Sequence, residues 1–185
     1  HAASLDCPVV RRASGGGAIL HDHELTYSYT IPVEARAALH GESLYEAFLG
    51  TLVHLLQTRG IACQMFGRDG EQPAGQPFLC FQRRSWADVV VDGEKMAGSA
   101  QRKQRGALLQ HGSVLLSASA RAPELLGLDH WQQLSAEDLR DRWQQRIAEQ
   151  LDLLLIPSIL DEETRTQASR IEAEKFASSS WTRRR

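Results

Sequence analysis

Apolar and polar residues alternate most cleanly near residue 25. Leu25, Tyr27, Tyr29 and Ile31 are separated by Glu24, Thr26, Ser28 and Thr30. A period of two is that of a strand with one face buried, and Pro32 is expected to stop it. The period then lengthens. Between Glu42 and Arg59, Leu44, Phe48, Leu52 or Val53, and Leu55 or Leu56 recur at helical spacing, with Gly60 as the stop. Ile61 to Phe66 reads as a short strand. Gly67 to Gln76 holds three glycines and a proline, which predicts a loop.

Further along, Pro77 to Phe81 is a short apolar run. Ala87 to Val91, Asp92-Gly93, and Glu94 to Ala100 predict a tight hairpin, because Asp-Gly accepts the positive φ angles of a two-residue turn. Ala107 to Leu116 predicts another strand, interrupted at His111-Gly112. Val9-Val10 is expected to end a strand that runs into the glycine-rich stretch after it. Ser135 is placed to cap a helix running to about Leu151, and Asp161 to Phe176 predicts a second, with a thin apolar stripe. Hairpins dominate the interleaved elements. The expected fold is therefore α+β, a largely antiparallel or mixed sheet flanked by helices. No internal repeat is visible. Residues 1–185 are expected to form one domain, with 135–185 a helical C-terminal extension.

Composition narrows the picture only in part. With 185 residues, 42% hydrophobic and 24% charged, the chain can bury a sizeable core. A net charge of -2 supplies no basic field for nucleic acid. The most apolar run, Leu151 to Leu160, contains Asp152 and Pro157 and is too short to span a membrane. Three cysteines, Cys7, Cys63 and Cys80, without Cys-x-x-Cys spacing predict free thiols in a reducing compartment, so the cytoplasm is expected. The seven histidines include no His-x-x-x-His, and no metal site is expected. The chain opens on His1 shortly before its most distinctive loop, and an N-terminal piece of the domain is expected to be missing.

Candidate chemistry gathers in two blocks. The first is Arg11-Arg12-Ala13-Ser14-Gly15-Gly16-Gly17-Ala18-Ile19-Leu20-His21. Its glycines let backbone N–H groups face an anion or a carbonyl, and Arg12 adds charge; taken alone it could equally be a tight turn. The second runs from Cys80 to Lys95 and on through Met96-Ala97-Gly98-Ser99-Ala100-Gln101. A thiolate attacks a thioester and a nearby ammonium stabilises it, and Lys95 is the candidate cation. Locally, Cys80 reads as well as a small buried hydrophobe, and Lys95 as a surface charge at a strand start. The small residues after Lys95 allow a ligand close to the backbone. His21 and His111 are candidate pocket residues or plain hydrogen-bonded histidines. Tyr27 and Tyr29 read as core. Arg140, Arg142 and Arg146 read as a solvated helix face that could touch an acidic carrier. Cys7 and Cys63 are left as structural, and His23, His40, His54 and His130 without a role.

Four ordered blocks carry a resemblance. Arg12 to His21, Cys80-Phe81 with Ser85-Trp86 and Gly93-Glu94-Lys95, Gly98 to Gln101, and Leu109-Gln110-His111-Gly112-Ser113 resemble the biotin/lipoate protein ligase superfamily. The cysteine brings the chain closest to the cysteine-dependent octanoyltransferases and lipoyl amidotransferases, and the tail, Lys175-Phe176 and Trp181-Thr182, is similar to their endings. Gly17 departs from the arginine of many octanoyltransferases and is more ligase-like.

The resemblance implies a biotin/lipoate ligase-type catalytic domain with Cys80 as acyl-carrying nucleophile and Lys95 as its cationic partner. It implies an acyl-binding wall from Arg12, Gly15, Gly16, Gly17, Ala18, His21, Gly98, Ser99 and His111. The implied reaction moves an octanoyl group from octanoyl-acyl carrier protein to a lysine of a lipoyl domain or glycine-cleavage H protein, without a cofactor, metal, nucleic acid or membrane. Three alternatives stay open: an amidotransferase moving acyl groups between protein lysines, a lipoate ligase using ATP and Mg²⁺, and a non-catalytic acyl or lipoyl-domain binder.

Overall fold

In the computed structural model, residues 1–35, 43–68, 70, 75 and 77–184 are described. His40, the expected helix start at Glu42, Arg185 and most of the expected 67–76 loop lie outside the described residues.

Five strands form one sheet in the order β1-β5-β4-β3-β2, every neighbour antiparallel. They are β1 (Glu24–Pro32), β2 (Cys63–Met65), β3 (Val89–Val91), β4 (Glu94–Gln104) and β5 (Ala107–Leu115). The α+β expectation holds. The sole parallel pairing among the described residues is an isolated bridge, Ala18 to Leu79. Two hairpins give the sheet its centre. Asp92 and Gly93 have φ of 49° and 83°, and Arg105 and Gly106 of 50° and 76°. Positive φ at both central residues matches the right-handed strand twist, which is why Asp-Gly and Arg-Gly can turn the chain in two residues.

Two expectations fail. Val9-Val10 forms no strand: the side chains are 75% and 68% exposed, and the pair finds no ladder partner. β5 also runs through His111-Gly112 without a break. Gly112 is there for packing, because a Cβ would come within 2.4 Å of the Gly98 carbonyl oxygen and 2.7 Å of the Tyr27 ring.

One face of the sheet carries the core. A π-helical turn, Glu46–Gly50, leads into α1 (Thr51–Thr58), and Leu44, Phe48, Leu52 and Leu56 of this segment pack with Val89, Val91 and Met96. Gly60, at φ 82°, ends it, and the Ile61 N–H donates back to the Leu56 carbonyl. α2 (Ala136–Gln150) lies alongside. Its cap is the expected one, Ser135 Oγ accepting from the Asp138 N–H, and it buries Leu139 and Trp143. The Trp143 indole donates to the Phe48 carbonyl at 2.9 Å. A smaller cluster of Leu79, Phe81, Leu115, Ala122 and Leu125, with Ile19 and Leu20 against it, packs the glycine-rich segment against the end of β5.

α3 (Glu162–Ile171) starts at the Asp161 cap and buries nothing. Residues 152–174 are exposed throughout, so the most apolar run of the sequence lies on the surface. The chain returns to the body at residues 175–182, ending in the short α4 (Ser179–Thr182). No described helix is long and apolar enough to cross a membrane.

Candidate active site

The second face of the sheet is where the chemistry sits, and strand register explains why. Cα partners in an antiparallel pair share a face. Thr26 stands opposite Ser113 and Ser28 opposite His111, while on β4 Gly98 partners Ser113 and Ala100 partners His111. These are mostly small or polar residues. Alternation places Tyr27, Ser99, Gln110 and Val114 towards the helices. The small residues leave a cavity of about 1020 Å³ over the sheet. Tyr27, Ser99 and Gly112 also contribute to the lining, although alternation turns them towards the helices. Tyr27 is therefore both core and cavity wall. It stacks on Phe48 at 5.0 Å, its hydroxyl hydrogen-bonds to Ser99 and accepts from Gln110, and burial pushes the phenol up to about 12.

Cys80 lines this cavity and is half-buried. Its backbone is stitched to the glycine-rich loop: the Cys80 N–H donates to the Ala18 carbonyl at 2.7 Å, and the Ala18 N–H to the Phe78 carbonyl at 3.1 Å. The Cys80–Gln82 turn then folds Phe81 into the small core cluster. Lys95 lines the same cavity, but its Nζ is bound to Asp88 Oδ2 at 2.7 Å, with both side chains 5% exposed or less. The Asp88 carboxylate also accepts from the Ser85 N–H at 2.7 Å. Burial raises the Asp88 carboxyl and outweighs the lowering by Lys95 and the Ser85 N–H. The pair rests on Gly98, where a Cβ would stand 2.5 Å from Lys95 Cε and 2.8 Å from Asp88 Oδ1. Lys95 is thus a fixed, partly compensated charge.

Arg12 folds back into the glycine loop. It donates to the Gly17 carbonyl at 3.0 Å and to Ser14 Oγ at 3.2 Å. A Cβ at Gly16, whose φ is 108°, would meet the guanidinium at 2.3 Å. Ser14 Oγ, which accepts from Arg12, is also hydrogen-bonded to His111 Nε2 at 2.6 Å. Burial first, then the Arg12 charge, lowers the His111 imidazole, favouring its neutral form. Across the cavity wall, His21 Nδ1 meets Glu24 Oε1 at 2.5 Å. That carboxylate is 5% exposed and also accepts from the Asp22 N–H and the Thr26 hydroxyl. Burial raises Glu24, but His21 and the Asp22 N–H more than offset this, so it lies below its ordinary value. The hydrogen bond to Glu24 raises His21.

Of the residues expected from sequence, Cys80, Lys95, Arg12, Gly15, Gly16, His21, Gly98, Ser99 and His111 share the cavity lining. Gly17 and Ala18 do not line it; they stand behind it, one as acceptor for Arg12 and the other pinning Cys80. Sequence reading missed Asp88, whose signal is a lone carboxylate in an otherwise apolar strand before Lys95. It also gave no wall role to Tyr45, Trp86 or Phe176. Phe176 is held by the tail. Trp181 Nε1 donates to the Arg11 carbonyl at 2.7 Å, Arg11 donates to the Thr182 carbonyl at 3.2 Å, and Lys175 Nζ lies 4.3 Å from the Trp181 ring. Cys63 is remote from this chemistry, buried and with its thiol pushed up to about 11 by burial. Among the described residues, no group of three or more His, Cys, Asp and Glu side chains is placed to hold a metal ion.

Known proteins resemble this chain across most of its length. The family described as lipoyl protein ligase A/B catalytic domain matches residues 1–147. The octanoyltransferase LipM of Brevibacillus brevis is 30% identical over an alignment covering 95% of this chain and 74% of that protein. The LipM of Lysinibacillus sphaericus is 35% identical, covering 83% of this chain and 55% of that protein. Solved structures share the fold at lower identity. A lipoate-protein ligase A bound with ATP has a TM-score of 0.70 at 16% identity, over 94% of this chain and 71% of that one. An archaeal bipartite lipoate protein ligase of Thermoplasma acidophilum, studied with its E2 lipoyl domain, has a TM-score of 0.67 at 17% identity, over 94% and 69%. By the extent of the family match and of the first relative's alignment, this chain belongs to the lipoyl protein ligase A/B catalytic domain family, a family of acyl-transferring enzymes.

Proposed function

We propose that this chain moves an octanoyl group from octanoyl-acyl carrier protein to a specific lysine of a lipoyl-accepting protein, through a thioester on Cys80. The observation that carries the reading is that Cys80 and Lys95 open onto one cavity, in a relative of the LipM octanoyltransferases. In the first half-reaction the Cys80 thiolate attacks the donor thioester carbonyl. The negative charge moves to the carbonyl oxygen and the carrier's thiolate leaves. Lys95 is a cation fixed before the substrate arrives, so charge developing beside it needs no reorganisation. In the second, an amine of the acceptor attacks the Cys80 thioester, a C–N bond forms, the C–S bond breaks, and Cys80 is regenerated. The acceptor is a lipoyl domain or H protein. The cavity has room for an eight-carbon chain together with the arm that delivers it. No cofactor or metal enters this scheme, and the cytoplasm, where both protein substrates would be met, is the compartment that fits it.

The test is intact-protein mass spectrometry after mixing with octanoyl-acyl carrier protein without ATP, beside a Cys80→Ser control. A hydroxylamine-sensitive octanoyl adduct that requires Cys80 supports the reading. No adduct from folded protein overturns the donor. An adduct obtained only from octanoylated lipoyl domain makes the chain an amidotransferase, and product obtained only with lipoate and ATP makes it a ligase. Binding of acyl groups or lipoyl domain without any transfer makes it a non-catalytic binder.

A further inference from the structure

The tail that supplies Phe176 also changes the charge at the rim of the cavity. Residues 7–21 contain Arg11 and Arg12 and no Asp or Glu. Residues 175–184 contain Lys175, Arg183 and Arg184 and again no Asp or Glu. The fold joins these two segments. Trp181 Nε1 donates to the Arg11 carbonyl, Arg11 Nε donates to the Thr182 carbonyl, and Lys175 Nζ stands over the Trp181 ring. The basic residues thus gather in one place in a chain whose net charge is -2. Among the described residues, none of them has a carboxylate within ion-pair distance. The nearest carboxylate in sequence, Glu174, is paired with Arg170 at 3.4 Å. Such a cluster repels itself and attracts an anionic surface. It borders the site, because Arg12 and Phe176 line the cavity together with Cys80. Beside Arg11, Val9 and Val10 are 75% and 68% exposed. Apolar side chains next to a charged rim have the make-up of a protein-binding surface, which a bare ion does not need. Two other basic surfaces are placed differently. α2 packs on the core face, and its Arg140 and Arg142 are already paired with Asp141 and Asp138 at 2.7 Å. Lys103 and Arg105 stand at the opposite end of β4 from Lys95.

We propose that the junction of tail and glycine-rich segment, with Arg11, Lys175, Arg183 and Arg184 beside Val9 and Val10, is the docking surface for the acidic carrier protein that delivers the acyl group. The inference rests on the octanoyl-acyl carrier reading above. Arg11, Arg183 and Arg184 are exposed, and a guanidinium pairs with a carboxylate through two parallel hydrogen bonds. The donor is the protein substrate that fits this position. Its acyl thioester hangs on a long phosphodiester-linked arm, so its body can rest on the rim while the thioester reaches Cys80. The acceptor presents only a lysine side chain and has to bring its own body closer to the sulfur. Charges at a rim act mainly on how fast partners meet and on how salt slows them, so this surface governs capture of the donor and leaves the chemistry on Cys80 to the cavity.

The experiment reads capture and chemistry separately on the full chain. Affinity is measured with acyl carrier protein whose thioester is replaced by an amide, and acylation of Cys80 with octanoyl-acyl carrier protein, octanoyl-phosphopantetheine and octanoyl-pantetheine, each across a range of salt. For Arg183→Glu/Arg184→Glu the expected result is carrier affinity and carrier kcat/KM lower by about 10-fold or more at low salt, with a flattened salt dependence. Acylation by octanoyl-pantetheine should stay at the wild-type rate. Arg183→Lys/Arg184→Lys should keep most of the carrier activity, and Lys103→Glu/Arg105→Glu, with the same change in net charge, should stay within about two-fold of wild type. The proposal is overturned if Arg183→Glu/Arg184→Glu binds and uses the carrier within about two-fold of wild type. It is overturned by an equal loss with octanoyl-pantetheine, which marks damage to the cavity wall, and by an equal loss in the hairpin variant, which marks net charge alone. An equal loss with octanoyl-phosphopantetheine reduces the surface to a phosphate site, and a loss confined to transfer onto lipoyl domain gives it to the acceptor; both also overturn it. Carrier binding that needs these arginines without any Cys80 adduct keeps the docking surface and sinks the acyl-enzyme reading. A Cys80 adduct with binding indifferent to them does the reverse.

Discussion

Replacing Asp88 by Asn tests how the cavity holds its cation. The substitution keeps the shape and an acceptor for the Ser85 N–H, and removes only the charge opposite Lys95. What remains is an ammonium 5% exposed, with a Phe81 ring 5.5 Å away and no carboxylate. Removing one partner of a buried pair costs about 3–5 kcal/mol, because the other charge stays desolvated and unpaired. For a chain of this size that corresponds to a fall in melting temperature of roughly 6–20 °C. The raised Asp88 carboxyl says that burial outweighs attraction within the pair. Removing both charges should therefore recover most of the loss, and Asp88→Asn/Lys95→Met is expected within about 1 kcal/mol of wild type. Urea unfolding of the three proteins at pH 7, compared at equal m-values, measures this. A single variant within about 1 kcal/mol of wild type, or a double variant no better than the single, would refute the buried-pair argument. Acylation of Cys80 should be impaired in the double variant, which has lost the cation.

Gly98→Ala should destabilise by about 1–3 kcal/mol and slow acylation, because its Cβ would stand 2.5 Å from Lys95 Cε; a variant with wild-type melting and rate would show that the pair can move aside. Lys95→Ala should slow both acylation and iodoacetamide labelling of Cys80, and labelling at the wild-type rate across the pH range would remove the proposed electrostatic role. The His21–Glu24 contact sets a sign for stability against pH. Glu24 lies below its ordinary 4.5, so its contribution is present above that value and is lost as pH falls through the folded value. His21 lies above its ordinary 6.5, so its contribution is complete below that value and is lost as pH rises through the folded one. The stability gap between wild type and Glu24→Gln should thus be widest between about pH 4.5 and 6.5 and shrink on either side, and a gap that grows above pH 7 would contradict the geometry.

Much of this molecule could be read from local pattern. The alternation around Tyr27, the Asp92-Gly93 turn and the Ser135 cap are decided by residues near in sequence, and all three appear as expected. Cys80 and Lys95, singled out by their family spacing, both line one cavity. What failed depended on partners far away. Val9-Val10 looks like a strand end, but a strand needs a ladder, and none reaches it. Gly112 looks like a break until Tyr27 and Gly98 are seen against it. Asp88 was invisible because a carboxylate between Ala87 and Val89 has meaning only once Lys95 has folded over it. Arg12 lines the cavity and at the same time donates to Gly17 and Ser14 of its own loop.

The tail has a consequence for the order in which the site is assembled. Arg11 and Trp181 are joined by a hydrogen bond across 170 positions, and Phe176 supplies part of the cavity wall. Every other lining residue lies at or before Ser113. During synthesis the sheet, the loop and the Cys80 turn can therefore all be in place while the cavity still lacks one wall. That wall arrives only after residues 152–174, none of them buried, have been made. Closing so long a loop costs entropy that only a few contacts at its end repay. A nascent chain would thus expose its thiol and its fixed cation before it could enclose a substrate, and cleavage within residues 152–174 would return the mature protein to that half-built state.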